Sequence, residues 1–375
     1  MKKELKYSII GAGNGGMAMA GYLAMLGYEV SLYNRTLANI LPLIENPFIS
    51  LTGEITGTGI LKKVTNIMKD AIEGADMIMV TVPAIGHYQI AVEMAPYLVD
   101  GQVIVLNPGR TGGALEVYET LRREKCDKNI TVAEAQSLVY ACRTTSPNSV
   151  HVFQIKNEVT MASIPSTNIT YVINQLKPAY PQFSVAKDVL ETSINNYGAI
   201  FHPAPTLLNS GHIERGAPFE YYIEGITPSI GDFIEIMDRE RMELGHALQV
   251  DTLSAKDWLY ETYGAKGNSL YEAVQNNPAY MGLQAPKGLQ IRYIFEDVPY
   301  SLIPMASIAK ELGIKTPAIT TVINIAALMT GKDFYEDGRT IERLGLKGLT
   351  INQMHDLARN GKVIKDGGKE KEGVA

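Results

Sequence analysis

A chain of 375 residues with net charge −6 and a pI near 5.6 has no basic excess for a phosphate backbone, which argues against a nucleic-acid partner. Hydrophobic content of 46% and charged content of 20% describe an ordinary globular protein of about two domains, each able to bury a core. Two cysteines, Cys126 and Cys142, give no disulfide framework and fit a reducing cytoplasm as inert thiols.

In chain order, Met1, Lys2 and Lys3 ahead of an apolar run superficially look like a signal peptide. Glu4, Lys6, Asn14 and several glycines interrupt it, and no other apolar run approaches the ~20 residues of a membrane span. A soluble, membrane-free protein is expected. Tyr7, Ser8, Ile9 and Ile10 read as a buried strand that stops at Gly11, Ala12, Gly13, Asn14, Gly15 and Gly16 and continues as a small-residue helix. Gly11, Gly13 and Gly16 stand in G-x-G-x-x-G register. Glycine serves there for a tight turn, for backbone approach to a pyrophosphate and for close packing of helix on strand. Free N–H groups and the positive end of the helix dipole then meet the phosphates. The glycine pattern is weak alone, but its place between a strand and a helix, with a second strand over residues 29–33, makes a dinucleotide site. A glycine-rich turn in a phosphate-free α/β protein is the alternative.

The second strand ends at Asn34, Arg35 and Thr36. About 20 residues past the first glycine, NAD enzymes carry an acid on the ribose 2′-hydroxyl, and this chain has none there. Asn34 and Arg35 suit a 2′-phosphate instead, with Arg35 pairing as a fork and lying over adenine. NADP is therefore favoured and NAD remains possible, the alternative being a solvated loop arginine in an NAD enzyme.

Residues 46–66 predict a small β excursion, and 75–83 and 102–109 predict buried parallel strands. Both end in Pro- or Gly-containing loops at a carboxyl end, where open α/β sheets bind ligands. Val82, Pro83 and Asn107 are thus expected in the cofactor cleft, unless these are plain strand-terminating turns. Further strands fall at 130–135, 149–156, 158–163 and 183–185, so a Rossmann-type domain with a doubly wound sheet is expected over 1–187. A helical domain over 188–361 follows. Thr227-Pro228 and Thr316-Pro317 are helix-start signals. Behind the first, Ile230, Phe233, Ile234, Met237, Leu244 and Leu248 recur at helical spacing, leaving Asp238, Arg239 and Glu240 for the outer face. The uncharged stretch 318–329 is expected at the centre of the helical domain or in a dimer contact. Residues 362–375 are charged and read as a flexible tail.

None of the six histidines makes a metal-ligand pair, and neither a G-x-S-x-G elbow nor a P-loop lysine occurs. His202, just past the domain junction where clefts form, is the proton-transfer candidate, with a satisfied core histidine as the alternative. Asp297 is an acid of the kind that could orient it.

The combination of Asn196, His202-Pro203, Thr206-Leu207-Leu208-Asn209, Pro218-Phe219, Tyr221 to Gly225, Asn277-Pro278-Ala279-Tyr280 and Arg292 to Val298 resembles the octopine/nopaline (opine) dehydrogenase family. The likeness includes the glycine loop, Val82-Pro83 and Asn107-Pro108-Gly109, and it runs to Leu346. It implies a Rossmann domain joined to a helical domain, with a His–Asp pair in the cleft that falls on His202 and Asp297. It further implies that a pyruvate-like 2-oxo acid condenses with the amine of an L-amino acid and that the imine takes a hydride from NAD(P)H. On this reading Arg292 holds a substrate carboxylate by its planar fork, or else forms a surface ion pair. Asn196 and Tyr280 are further substrate candidates. Gly198 stands where some members carry an amide. Two other readings remain open: a ketopantoate-like 2-oxo acid reductase, for which Lys256, Lys266 and Lys287 are the available acids, and an NADP-holding sensor without turnover. A homodimer is plausible.

Overall fold

In the computed structural model, which describes residues 5–363, the apolar runs of the first half become twelve strands. They are β1 (Lys6–Ile10), β2 (Glu29–Tyr33), β3 (Phe48–Gly53), β4 (Gly57–Ile60), β5 (Lys63–Thr65), β6 (Met77–Val80), β7 (Val103–Leu106), β8 (Thr131–Ala135), β9 (Tyr140–Ser146), β10 (Ser149–Ile155), β11 (Val159–Ile164) and β12 (Phe183–Val185). Eight form one sheet in the order β12-β11-β8-β7-β6-β1-β2-β5, and β4-β3-β10-β9 form a second. The main sheet is parallel from β5 to β8, and β11 then joins β8 antiparallel. Strand order reverses about β1, with β2 on one side and β6 on the other, which opens a crevice at the carboxyl ends of these strands.

Alternation along each central strand sorts the core into two layers. Tyr7 and Ile9 of β1, Met77 and Met79 of β6, and Val103 and Val105 of β7 face one side, where the helix Asn14–Met25 and the small sheet cover them. Ile10, Ile78, Val80, Ile104 and Leu106 face the other. That second layer runs without a break into the helical half, through Ile200, Phe201, Ile294 and Leu344 to Leu357. The two halves therefore share a core, each fully buried aliphatic side chain in it contributing ~1.5–3 kcal/mol.

The last strand ends at Val185 and the helix Val189–Ile194 follows, its first turn capped by Asp188, which accepts from the Leu190 and Glu191 amides. Both Thr-Pro signals open helices, Pro228–Ala247 and Pro317–Thr330, though neither threonine side chain makes a cap bond. One expectation fails on the first of these helices. Asp238 and Glu240 are buried rather than outward, and only Arg239 is exposed. The reason is polar satisfaction: Asp238 accepts from Arg241 and from the Ala255 amide, while Glu240 takes the free Ala318 and Ile319 amides that open the helix Pro317–Thr330. Burial still raises the Glu240 carboxyl, with those two amides opposing it. The helix Pro317–Thr330 buries Ile319, Val322, Ile323 and Ala326 but leaves Leu328 85% exposed. From residue 364 onward the tail lies outside the described residues.

Candidate active site

The turn after β1 has the geometry that its glycines predict. Gly11 has φ +112°, open to glycine and strained for other residues. A Cβ on Gly16 would lie 1.7 Å from the Gly11 carbonyl oxygen, whereas one on Gly13 would meet nothing within 4 Å. Open space at Gly13, together with the first amides of the helix Asn14–Met25, fits a pyrophosphate. Asn34 folds over this loop, its Oδ1 accepting from the Ala12 amide at 3.3 Å and its Nδ2 donating to the Thr36 carbonyl at 3.0 Å. Arg35 and Thr36 are exposed beside it. Asn14 accepts from the Thr144 amide at 2.9 Å and so ties the loop to β9, a strand the sequence reading missed. Gly15 packs on Leu138.

Val82 and Pro83 follow β6 at the mouth of the crevice, half-buried and exposed respectively. Asn107 follows β7 but does not project. It is buried and its Nδ2 turns back to the Val105 carbonyl at 2.8 Å, leaving Oδ1 without a partner.

His202 lies between the short helices Gly198–Phe201 and Pro203–Leu208. Its carbonyl accepts from Thr206 and Tyr221 hydroxyls, both at 2.7 Å, and its ring stacks on Tyr293 at 4.2 Å. Across 95 residues of sequence, its Nδ1 meets Asp297 Oδ2 at 2.8 Å. A carboxylate accepts only, so Nδ1 carries the proton and Nε2 is the nitrogen available for exchange. Asp297 is fully buried at the start of the π-helical turn Val298–Leu302. Burial by itself would raise its carboxyl, but Arg110 and His202 hold it below the usual carboxylate range.

Arg110, which sequence reading did not single out, completes the group. Its Nη1 lies 3.1 Å from Asp297 Oδ1 and its Nη2 3.3 Å from Glu296 Oε2. Glu296 also accepts from the Ala84 amide at 3.0 Å, joining the loop after β6 to the helical half. The signal was thin: Asn107-Pro108-Gly109 marked the loop, but nothing in the spacing shows that Arg110 reaches a residue 187 positions away.

The expected substrate residues part company. Arg292 is 62% exposed and bonded through Nε to Glu296 Oε2 at 2.6 Å, on the rim of a cavity of about 680 Å³. Asn196 is buried and donates to Thr111 and Ser301 hydroxyls at 3.2 and 2.9 Å. Tyr280 is buried behind the site, its ring stacked on Tyr222 at 4.0 Å. Lys256, Lys266 and Lys287 make no bond with His202, Asp297 or Arg110 among the described residues.

A dinucleotide crevice with a hydrogen-bonded His–Asp pair beside it, on a Rossmann-like α/β domain followed by a helical one, defines an NAD(P)-dependent oxidoreductase. Residues 6–123 match the NAD binding domain of 6-phosphogluconate dehydrogenase, and residues 185–330 match the alpha-helical domain of NAD/NADP octopine/nopaline dehydrogenase. The chain belongs to the opine dehydrogenase family. It is 39% identical over 351 residues to the opine dehydrogenase of Arthrobacter sp. (strain 1C), spanning 93% of this chain and 98% of that protein. Octopine dehydrogenase solved with NADH and L-arginine superposes with a TM-score of 0.80 at 22% identity, covering 96% of this chain and 99% of that one. Yersinopine dehydrogenase with NADP+ bound superposes at 0.75 and 15% identity, with the same coverage. The enzyme thus carries out NAD(P)H-dependent reductive condensation of a 2-oxo acid with an amino acid, acting on CH–NH bonds. Family membership sets aside the sensor and the plain 2-oxo acid reductase.

Proposed function

We propose that His202 and Asp297 form the proton-transfer pair of this reaction, in a site that joins a pyruvate-like 2-oxo acid to an apolar L-amino acid of the norvaline type. The observation that carries the reading is the 2.8 Å bond from half-buried His202 to fully buried Asp297 beside the nucleotide crevice. Starting as the imidazolium, His202 gives its Nε2 proton to the oxo acid's oxygen as the amine adds and, once reprotonated, protonates the hydroxyl of the carbinolamine as water leaves. Between these two steps the amine nitrogen returns one proton to the ring, and it keeps the other, so the species that forms is an iminium. Asp297 holds the ring by Nδ1 and stabilises the imidazolium at each stage. Bound NADPH would supply the hydride that converts this iminium to the secondary amine. Gly11, Gly13, Asn14, Gly15 and Gly16 hold its pyrophosphate, with Val82 and Pro83 along the crevice.

Preference for NADPH over NADH rests on Arg35, which is exposed at the end of β2 with no acid in the position beside it. An apolar amine substrate is favoured by the cavity beside Tyr293, lined by Pro83, Ile85, Pro286, Ile291 and Phe295, where Arg292 and Glu296 already neutralise each other. Arg292 can still turn one edge of its exposed guanidinium to a substrate carboxylate. A homodimer in the cytoplasm completes the reading, supported by exposed Leu328 and Met329 and by the free thiols of Cys126 and Cys142.

The test is NADPH oxidation with pyruvate, alone and with a panel of L-amino acids, in wild type and His202→Ala. Turnover should require the amine, favour norvaline over arginine, run slower with NADH, and fall ~100-fold or more in the variant. Full activity of His202→Ala would remove the pair from the mechanism.

A further inference from the structure

We propose that Arg110 is a positioning residue for the reaction: it locks Asp297 in register with His202, and Gly198 and Arg339 are what bring it there. The inference rests on the proton-transfer role of the pair.

Asp297 offers two oxygens, and each is committed. Oδ2 takes His202 Nδ1 at 2.8 Å, and Oδ1 takes Arg110 Nη1 at 3.1 Å with Ser301 Oγ at 3.4 Å. A carboxylate held at both ends cannot rotate away from the imidazole, so the ring keeps the tautomer with Nε2 free. The same guanidinium spans to Glu296 through Nη2. One arginine thereby ties the loop after β7 to two adjacent acids of the helical half.

Getting it there takes two unusual features. Arg110 has φ +61°, a left-handed backbone that side-chain-bearing residues rarely adopt. The carbonyls on both sides of it, those of Gly109 and Thr111, accept from Arg339 Nη1 at 2.9 and 3.1 Å. Arg339 is fully buried and is itself fixed by Glu116 at 2.6 Å and by His87 Nδ1 at 2.8 Å. Burial, then the neighbouring Arg339, drives the His87 pKa well below its usual range, so that ring is neutral and Nδ1 accepts. On the cleft side, a Cβ on residue 198 would stand 2.9 Å from Arg110 Nη1 and 3.2 Å from His202 Cε1. Glycine at 198 leaves the guanidinium its place.

The groups facing Asp297 are Arg110 from the β7 loop, His202 from between the two short helices, Tyr221 from a later turn, Arg292 and Tyr293 from the helix Arg292–Phe295, and Ser301 from its own turn. Removing the Arg110 cation leaves the others in place and takes away a charge that holds the Asp297 carboxyl below its usual range. The pH profile of kcat therefore moves to higher pH.

The experiment compares Arg110→Met, Arg110→Lys and Gly198→Ala, each alone and in a His202→Ala background, with NADPH binding followed by fluorescence. Arg110→Met should lower kcat by on the order of 100-fold, shift the profile upward, and leave NADPH affinity within about twofold. Arg110→Lys should recover part of the rate by restoring the charge, and Gly198→Ala should act in the same direction as Arg110→Met but more weakly. In the His202→Ala background the Arg110 substitution should add nothing. Three outcomes would overturn the proposal: kcat near wild type with an unmoved profile, a change confined to the KM of the oxo acid, or a full further loss on top of His202→Ala. If Arg110→Met does not fold, the lysine and Gly198→Ala variants carry the same comparison. Wild-type activity in His202→Ala would instead refute the proton-transfer reading itself.

Discussion

The nucleotide loop and the His202–Asp297 cleft lie at the same edge of one sheet, yet they are built by opposite means. The loop is made by residues 7–36, consecutive along one strand–turn–helix–strand unit, and its critical contacts are backbone on backbone. The cleft is assembled from residues 110, 202, 296, 297 and 339, drawn from four separated segments, and its contacts are ionic and buried. The local device is closed to an added atom where backbone meets backbone, at Gly16, and the dispersed one depends on its charges staying paired.

That difference can be broken at either end. The largest effect is expected from Gly16→Ala, whose Cβ would sit 1.7 Å from the Gly11 carbonyl. Overlap with backbone should cost more than about 4 kcal/mol, read as a drop in the urea midpoint. Gly13→Ala, open at the same loop, should weaken NADPH binding while changing stability by less than ~1 kcal/mol. Equal destabilisation by the two would refute the separate roles of these glycines.

Next comes Arg339→Met. It leaves Glu116 buried without its Nε partner and frees the Gly109 and Thr111 carbonyls, at a cost of ~3–5 kcal/mol. A loss under ~1 kcal/mol in chemical denaturation would mean that the network holds the loop without it.

Glu134 sharpens the contrast through pH. It is fully buried at the end of β8, where burial pushes its pKa up to about 7, opposed by Thr192, the Ala114 amide, Arg339 and Ser193. The folded protein then holds a proton that the unfolded chain, near 4.5, gives up. The associated stability is fully present below pH ~4.5 and is lost as pH rises through about 7, by on the order of 3 kcal/mol. Glu134→Gln should flatten that slope between pH 5 and 8, and an unchanged slope would place the titration elsewhere.

The smallest effect is Arg35→Ala. It should cut the proposed preference for NADPH over NADH about tenfold, ~1.4 kcal/mol, and leave stability unchanged because the side chain is exposed. Wild-type preference for NADH would end the argument from Arg35.

Much of this was legible in the chain. The glycine register, the strand runs and the two Thr-Pro helix starts are local, so turn sterics and periodicity reveal them directly. Asp238 and Glu240 were misplaced to the outer face because helical spacing counts apolar residues, whereas these acids are buried to satisfy amides of other segments. Strand β9 escaped because Tyr140–Ser146 carries no apolar alternation, ending in four polar residues, and is recruited by pairing with β10. Asn107 has the right place in sequence and the wrong orientation, since its amide closes on its own strand.

Sequence by itself determined the Rossmann unit, the order of the two halves and the identity of His202 and Asp297 as a pair to look for, because short-range sterics, hydrophobic periodicity and the family resemblance all act within a segment or along the whole chain. Only the tertiary structure decided that Arg110 reaches Asp297 and Glu296 and that Arg339 holds the loop that delivers it. Contacts between segments 186 to 230 residues apart depend on how the chain closes on its shared core, and no spacing along the sequence encodes that closure.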